Sequence, residues 1–362
     1  MKIAIVGAGI VGSTAAYYLS KEKDVEVTVF DHGLGQATKA AAGIISPWFS
    51  KRRNKAWYRM ARLGADFYQD LVSDLENDGY DTSFYDQSGV ALLKKDDSKL
   101  DGLYQHAETR LEESPIIGEL SIKNAAELPE FTGFDRYLYA SGGARVEGAE
   151  LTATLIEASG FEKVEGLVTL SPLDNGTYEI NGQTFDKVIL ACGAWLGQTL
   201  EPLGFEVDVR PQKGQLRDYF FEGMDTAKLP VLMPEGELDV IPFAGGKISV
   251  GASHENDQGF DLTVDETVLA SLEEEARTYF PDLSTAKSFS ECVGTRAYTS
   301  DFSPFFGEVP ELEGVFVASG LGSSGLTTGP LIGKNLVELA MNRSGSLDSA
   351  DYPVAQYVKK KD

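Results

Sequence analysis

Cysteine is scarce in this sequence, with two residues, Cys192 and Cys292, and histidine nearly so, with three, His32, His106 and His254. Two thiols cannot make a disulfide framework, and a reducing compartment fits them. Neither has metal-ligand spacing, so no metal is expected. Positive charge is also in short supply: 32 Lys and Arg stand against 56 Asp and Glu, a formal charge of −24. Such a surface repels phosphate backbones and anionic lipid, so nucleic acid and membrane surfaces are not expected as partners. The local exception is Lys51, Arg52, Arg53 and Lys55, which reads either as a solvated patch or as a loop that steers an anionic substrate. No uninterrupted apolar run reaches the ~18 residues of a membrane span. The opening apolar run is broken by glycines and lacks the features of a cleavable leader, so the chain reads as cytoplasmic.

What is present is enough apolar sequence for packed cores and 38 glycines placed where turns are needed. The length suggests two domains. Residues 2–6 read as a buried strand, 7–12 as a glycine turn, 10–20 as a helix and 25–30 as a second strand ending in Asp31. This is a βαβ opening with the parallel sheet it implies. An amphipathic helix follows at 56–78. Strand-like runs then appear at 84–93, 137–141, 164–170, 177–180, 187–191, 215–221, 238–242 and 247–251, with helical text at 147–159 and 265–280. A strand at 314–319, a glycine turn and a helix at 327–341 close the chain. Two textures alternate, as expected of a nucleotide-binding domain interrupted by a sheet-rich one.

Gly7-Ala8-Gly9-Ile10-Val11-Gly12 fits G-x-G-x-x-G between a strand and a helix, the context that gives the motif meaning. Gly7 permits the tight turn, Gly9 lets backbone approach a pyrophosphate, and Gly12 lets helix pack close to strand. The helix N-terminus, with Ile10 and Val11, offers free N–H groups to phosphates. Asp31 lies about 20 residues further on, where a carboxylate accepts hydrogen bonds from both ribose hydroxyls; His32 stands beside it. The fingerprint indicates an adenine dinucleotide without separating NAD from FAD.

The stretch from Gly35 to Trp48, rich in small residues, resembles the second flavin-contacting segment of the D-amino-acid oxidase-like FAD-dependent oxidoreductases, the glycine oxidase, sarcosine oxidase and D-amino-acid dehydrogenase group. The resemblance covers nearly the whole chain. It continues through Gly166-Leu167-Val168, through residues 188–195 and Pro211-Gln212-Lys213-Gly214-Gln215, and through the passage from Gly294 to Gly307 that reads G-x-R-x-x-T-x-D-x-x-P-x-x-G. It ends in the loop from Ala318 to Leu326. It implies non-covalent FAD: the position matching the flavin-linking cysteine of sarcosine oxidase-like relatives is Gly294, with Cys292 a step too far along the strand. It places Thr38 on the pyrophosphate, with Lys39 either neutralising a phosphate or facing solvent. Ala42, Gly43 and Ile44 fall beside the isoalloxazine, Val168 at the adenine, and Cys192, Gly193 and Trp195 in the strand-and-turn of the cofactor site. Gly322, Ser323, Ser324, Gly325, Leu326 and Thr327 form the last flavin loop, whose helix N-terminus would stabilise anionic reduced flavin.

The implied fold is α/β: a Rossmann-type FAD-binding domain (1–83, 145–213, 291–362) with an inserted antiparallel-sheet substrate domain of α+β type (84–144, 214–290). The implied chemistry is oxidation of a small amino acid or secondary amine. Hydride passes to flavin, and the imine hydrolyses to an oxo acid plus ammonia or amine. Electrons then go to oxygen or another acceptor. Arg296 is the expected carboxylate anchor, because a guanidinium pairs bidentately and stays charged. Asp239 stands where glycine oxidase has a carboxylate-binding tyrosine, Ser323 where it has a second arginine, and Leu321 where the loop often has histidine. Asp239 either points to solvent or meets a substrate amine, a second one or the α-ammonium. Lys213 is a candidate for favouring electron transfer to oxygen, and His254 reads as a loop residue. Three other readings stay open: a flavin-dependent oxidase of a modified tRNA base, which the −24 charge opposes, a non-catalytic flavin-binding scaffold, and a NAD-dependent dehydrogenase. Substrate, acceptor and oligomeric state are unknown at this point.

Overall fold

The computed structural model describes residues 1–361. The opening strand Lys2–Val6 is flanked in parallel register by Glu26–Asp31 on one side and Lys187–Leu190 on the other. Ile3, Ala4 and Ile5 are fully buried on both faces, as a parallel strand covered by helices demands. Glu162–Glu165 extends the sheet beyond the second strand, and Val315–Ser319 extends the other side in parallel, with Phe305–Glu308 antiparallel at the edge. Helices Ile10–Leu19, Lys55–Asn77 and Gly325–Ala340 pack together on this unit. The approach is close: a Cβ at Gly64 would lie 2.2 Å from the Thr327 carbonyl oxygen, and one at Gly333 would lie 2.6 Å from that of Val11. The N-terminus of the last helix is thereby brought beside that of the first.

The second architectural unit is an eight-stranded, largely antiparallel sheet. Its order runs from Ser288–Tyr298 through Arg210–Phe220, Lys247–Gly251, Asp239–Phe243 and Val231–Met233 to Val90–Leu92, Arg136–Ala140 and Leu120–Asn124. This is a Rossmann-type parallel unit carrying a second, antiparallel sheet, the layout that the resemblance implies. Arg210–Phe220 and Ser288–Tyr298 pair over all eleven residues, from Arg210 opposite Tyr298 to Phe220 opposite Ser288. The expected passages at 213/214 and 290/291 fall inside this ladder, so the two units share one rigid ribbon where a flexible linker would otherwise stand. The helix Asp97–Glu108, for which the sequence reading has no element, covers the far end of the large sheet. Among the described residues no helix is long and apolar enough to cross a membrane.

Arg145 fastens the small sheet of Ile44–Ile45, Ala144–Val146 and Tyr85–Asp86 to the large one. It is 1 % exposed. Its guanidinium donates to the Asp86 carboxylate at 2.6 Å, to the carbonyls of Ala227 (2.6 Å) and Leu229 (3.2 Å), and to that of Pro242. Removing it orphans three buried carbonyls together with a carboxylate. Arg145→Ala is expected to lose about 3–5 kcal/mol of stability, read as a fall in the urea midpoint; a midpoint unchanged from the parent would show that the guanidinium is not a fastener.

Candidate active site

Two cavities, of about 360 and about 390 Å³, meet at Ala37, Thr38, Gly322 and Gly325. The first is lined by the glycine turn (Gly7, Gly9, Ile10, Val11), by Asp31 and His32, by residues 166–169, by Cys192, Gly193 and Trp195, and by Ser319. Gly7 has φ +101°, and its missing Cβ would fall 2.3 Å from the Ala191 carbonyl oxygen; one on Gly12 would fall 1.8 Å from that of Gly7. Any side chain there would push the helix off the strand. Gly12 therefore lines neither cavity and acts by letting the turn close. Gly9 caps the Ile10–Leu19 helix without a side-chain hydrogen bond, which leaves the positive end of the helix open to an anion.

Around that turn the polar groups are arranged but incompletely used. Asp31 accepts the Ala8 N–H at 3.3 Å and a hydrogen bond from the Gln36 amide. Thr38 accepts the Ile10 N–H at 3.1 Å through its hydroxyl oxygen, keeping its own O–H to donate. Gln36 Oε1 and Thr295 Oγ1 are buried without a partner, and both residues line this cavity. Unpartnered buried polar atoms are uncommon in a folded chain and fit a ligand that supplies the missing bonds. The His32 and Trp195 rings meet edge to face, 5.4 Å apart.

The second cavity is lined by Ala42, Gly43, Ile44, Ser46, Trp57, Met233 and Gly214. Asp239, Glu237, His254, Arg296, Ser323, Ser324, Leu326 and Thr327 complete it. Strand Ser288–Tyr298 divides the two spaces. Its Thr295 and Ala297 line the first and its Gly294 and Arg296 the second, as the two-residue alternation of a strand requires.

Arg296 lies across Gly214: a Cβ on that glycine would stand 2.5 Å from Nη1 and 2.8 Å from Nη2. Nη1 donates to the Ser253 carbonyl at 2.8 Å and more weakly to Gln212 Oε1 at 3.4 Å. Among the described residues no carboxylate lies within ion-pair distance of it, although Arg217 and Lys247 on the same sheet and Arg145 on the small one all have one. Burial pulls the Arg296 guanidinium below its ordinary range, opposed by Tyr298, Glu237 and Glu255; it stays charged. Asp239 has no hydrogen-bonded or charged partner among the described residues, and burial alone pushes its carboxyl up to about 8. His254 Nδ1 stands 3.7 Å from Glu237; burial, then the charge of Arg296, lower its basicity.

Two expected site residues stand elsewhere. Lys213 lines neither cavity. Gly214 takes the inward face of the strand, so Lys213 is turned to the other side, where its ammonium meets Asp261 at 3.2 Å and the Thr263 carbonyl. Lys39 is exposed and outside both cavities, because its neighbour Thr38 takes the inward direction of the Ala37–Ala40 turn. Cys292 faces the Asp218 carboxylate at 3.9 Å and lines neither cavity, its thiol pushed up to about 11 by burial. Cys192 lines the first cavity, with burial pushing its thiol up to about 12. Sequence reasoning passes over Gln36, Trp57, Met233 and Glu237. Only Gln36 carries a signal, a polar side chain in a run of small residues. Lys51, Arg52, Arg53 and Lys55 line neither cavity; Ser50, just before them, reaches the second, and Arg52 stacks over Trp57, 4.5 Å from the ring centre.

Comparison with known proteins agrees with this geometry. The family described as FAD dependent oxidoreductase matches residues 2–339. An uncharacterized oxidoreductase of Bacillus subtilis, YurR, is 38% identical over 97% of this chain and 98% of its own. Glycine oxidase of Pseudomonas aeruginosa is 30% identical over 98% of each. The crystal structure of iminodiacetate oxidase from Chelativorans sp. BNC1 superimposes with a TM-score of 0.92 at 30% identity, over 97% of this chain and 98% of that one. FAD is the cofactor of this family, and the glycine turn, Asp31 and the unpartnered Gln36 and Thr295 fit it.

Gly12→Val is expected to purify with less than about a tenth of the parent's flavin, since the new side chain must displace the Gly7 carbonyl. Absorbance near 450 nm per protein chain measures it; flavin content equal to the parent would refute the role given to the turn. Asp31→Ala should also weaken FAD retention, seen as a raised Kd in reconstitution.

Proposed function

The chain belongs to the family of FAD-dependent oxidoreductases acting on CH–NH bonds, and from that premise we propose that its substrate is a small amino acid or N-substituted amino acid bound through its carboxylate to Arg296. The observation that carries this is the guanidinium itself: charged, spread over Gly214, and lacking an ion pair among the described residues of a chain with 56 acidic ones. A half-buried guanidinium without a carboxylate partner is costly to keep, and such a cost persists where a ligand completes the pair. The relatives that carry substrate names, glycine oxidase and iminodiacetate oxidase, act by those names on amines that bear carboxylates.

The chain's contribution is orientation. Arg296 holds the carboxylate and so fixes the α-carbon, in a cavity that Gly43, Ile44 and Leu326 also line. Bound FAD supplies the two-electron acceptor. The open N-terminus of helix Gly325–Ala340 turns its backbone N–H groups and partial positive charge toward the junction of the two cavities, where they stabilise negative charge as it develops. The product is the imine, which water converts to an oxo acid plus ammonia or amine. We take the inserted sheet to be the substrate domain, sharing its two eleven-residue strands with the FAD domain.

An anaerobic panel of glycine, N-methylglycine, D- and L-amino acids and iminodiacetate tests the reading. One or more of them should bleach the bound flavin, and a panel that leaves the flavin oxidised throughout would remove it. With an active substrate in hand, Arg296→Ala should keep its FAD and lose about 10²–10³ in kcat/KM, on the order of 3–4 kcal/mol. An unchanged kcat/KM would strip Arg296 of the carboxylate role.

A further inference from the structure

The second cavity holds two side chains of opposite charge type that do not pair with each other. Arg296 enters from strand Ser288–Tyr298 and Asp239 from strand Asp239–Phe243. The two strands are separated in the sheet by Arg210–Phe220 and Lys247–Gly251. Arg296 reaches over the first of these to bond the Ser253 carbonyl, two residues past Gly251, the register partner of Asp239. The guanidinium and the carboxyl line one cavity, and no ion pair or hydrogen bond joins them. Asp239 is flanked in the sheet by Gly251 and by the strand ending in Met233, neither of which offers a donor or a charge.

Resting on the carboxylate-anchoring role of Arg296, we propose that Asp239 is a catalytic residue: it receives the α-ammonium of the amino acid held by Arg296 and takes its proton. The step is a proton transfer. One N–H bond of the ammonium breaks, its electron pair stays on nitrogen, and an O–H bond forms on Asp239. The neutral amine that results can deliver its α-hydride, because the nitrogen lone pair is then free to form the C=N bond. An amino acid arrives near neutral pH as the ammonium form, which lacks that lone pair. Arg296 sets the carboxylate end of the zwitterion, so the ammonium lies one carbon away, in the cavity that Asp239 also lines without a partner of its own.

The charged groups around Asp239 leave it in this role. Glu237, on the loop before it, is largely exposed and stands near His254. His254 is held toward its neutral form and offers no counter-charge. Glu255 is engaged by Gln215 and Ser253, and Lys213 with Asp261 lies on the other side of the sheet. Burial is the one cause acting on the Asp239 carboxyl, which it lifts to about 8. A base in that range is matched to an ammonium group near physiological pH.

The test is the pH profile of kcat/KM with the FAD-loaded enzyme and a substrate from the anaerobic panel. In the parent enzyme kcat/KM is expected to rise to a plateau. The rise, set by loss of the Asp239 proton near pH 8, keeps its position from one substrate to the next. Asp239→Asn should lose about 10²–10³ in kcat/KM at pH 7 and then climb tenfold per pH unit up to the substrate's own ammonium pKa, as free amine replaces ammonium. Asp239→Glu should restore a rise whose position does not depend on the substrate. A rise that shifts with the substrate in the parent overturns the proposal without any variant. An Asn variant whose profile is lowered equally at all pH values also overturns it. So does one that loses only substrates with a second amine, such as ornithine or lysine, while glycine and N-methylglycine are unaffected. If no amine reduces the flavin at all, it is the substrate reading that fails. Flavin content and melting temperature equal to the parent's establish that a variant is folded.

Discussion

The site depends on one close approach, the Arg296 guanidinium lying on Gly214. The two residues face the same side of neighbouring strands, two register positions apart, and a side chain at 214 would occupy the space of Nη1 and Nη2. The glycine lets a long cation lie along the sheet surface, anchored by the Ser253 carbonyl, in place of standing up toward acidic groups at the rim. The same ladder puts Thr295 and Ala297 into the neighbouring cavity, so one strand faces the cofactor cradle with one set of residues and the substrate space with the other.

Charge is handled in two ways in this chain. Arg145 and Arg217 are buried cations with carboxylates in contact, and they fasten parts of the fold. Arg296 and Asp239 are left without partners around a shared space. On the proposed reading, groups that serve stability are satisfied by the protein, and the two proposed to serve binding are left for a ligand to satisfy. With a net charge of −24, the surface adds nothing to attract a carboxylate; the attraction is concentrated in one guanidinium and, outside the cavity, in the basic loop at 51–55.

Much of this was legible in the sequence because it is written locally. The glycine turn, its helix and Asp31 occupy one short stretch, and each has a steric or electrostatic reason that needs no distant residue. The pattern around Arg296 is local too. What escaped was set by strand parity and by distance along the chain. Lys213 reads as near the flavin until the inward direction of Gly214 is known, since adjacent residues in a strand face opposite ways. Lys39 yields to Thr38 for the same kind of reason. The helix Asp97–Glu108 buries Leu100, Leu103 and Ala107 at helical spacing, but this is a narrow stripe on a short polar segment. Trp57, Met233 and Glu237 reach the second cavity from separate elements, and nothing near them in the sequence marks their convergence. The continuity of Arg210–Phe220 and Ser288–Tyr298 across the expected domain passages is likewise a property of pairing, invisible in either strand alone.

The most direct measurement is a titration of the FAD-loaded protein with simple carboxylates such as acetate and glycolate, followed through the visible flavin spectrum. If Arg296 is a free cation beside the flavin waiting for a carboxylate, the spectrum changes saturably in the parent and is unmoved in Arg296→Ala at equal flavin content. Identical titrations of the two proteins would contradict it.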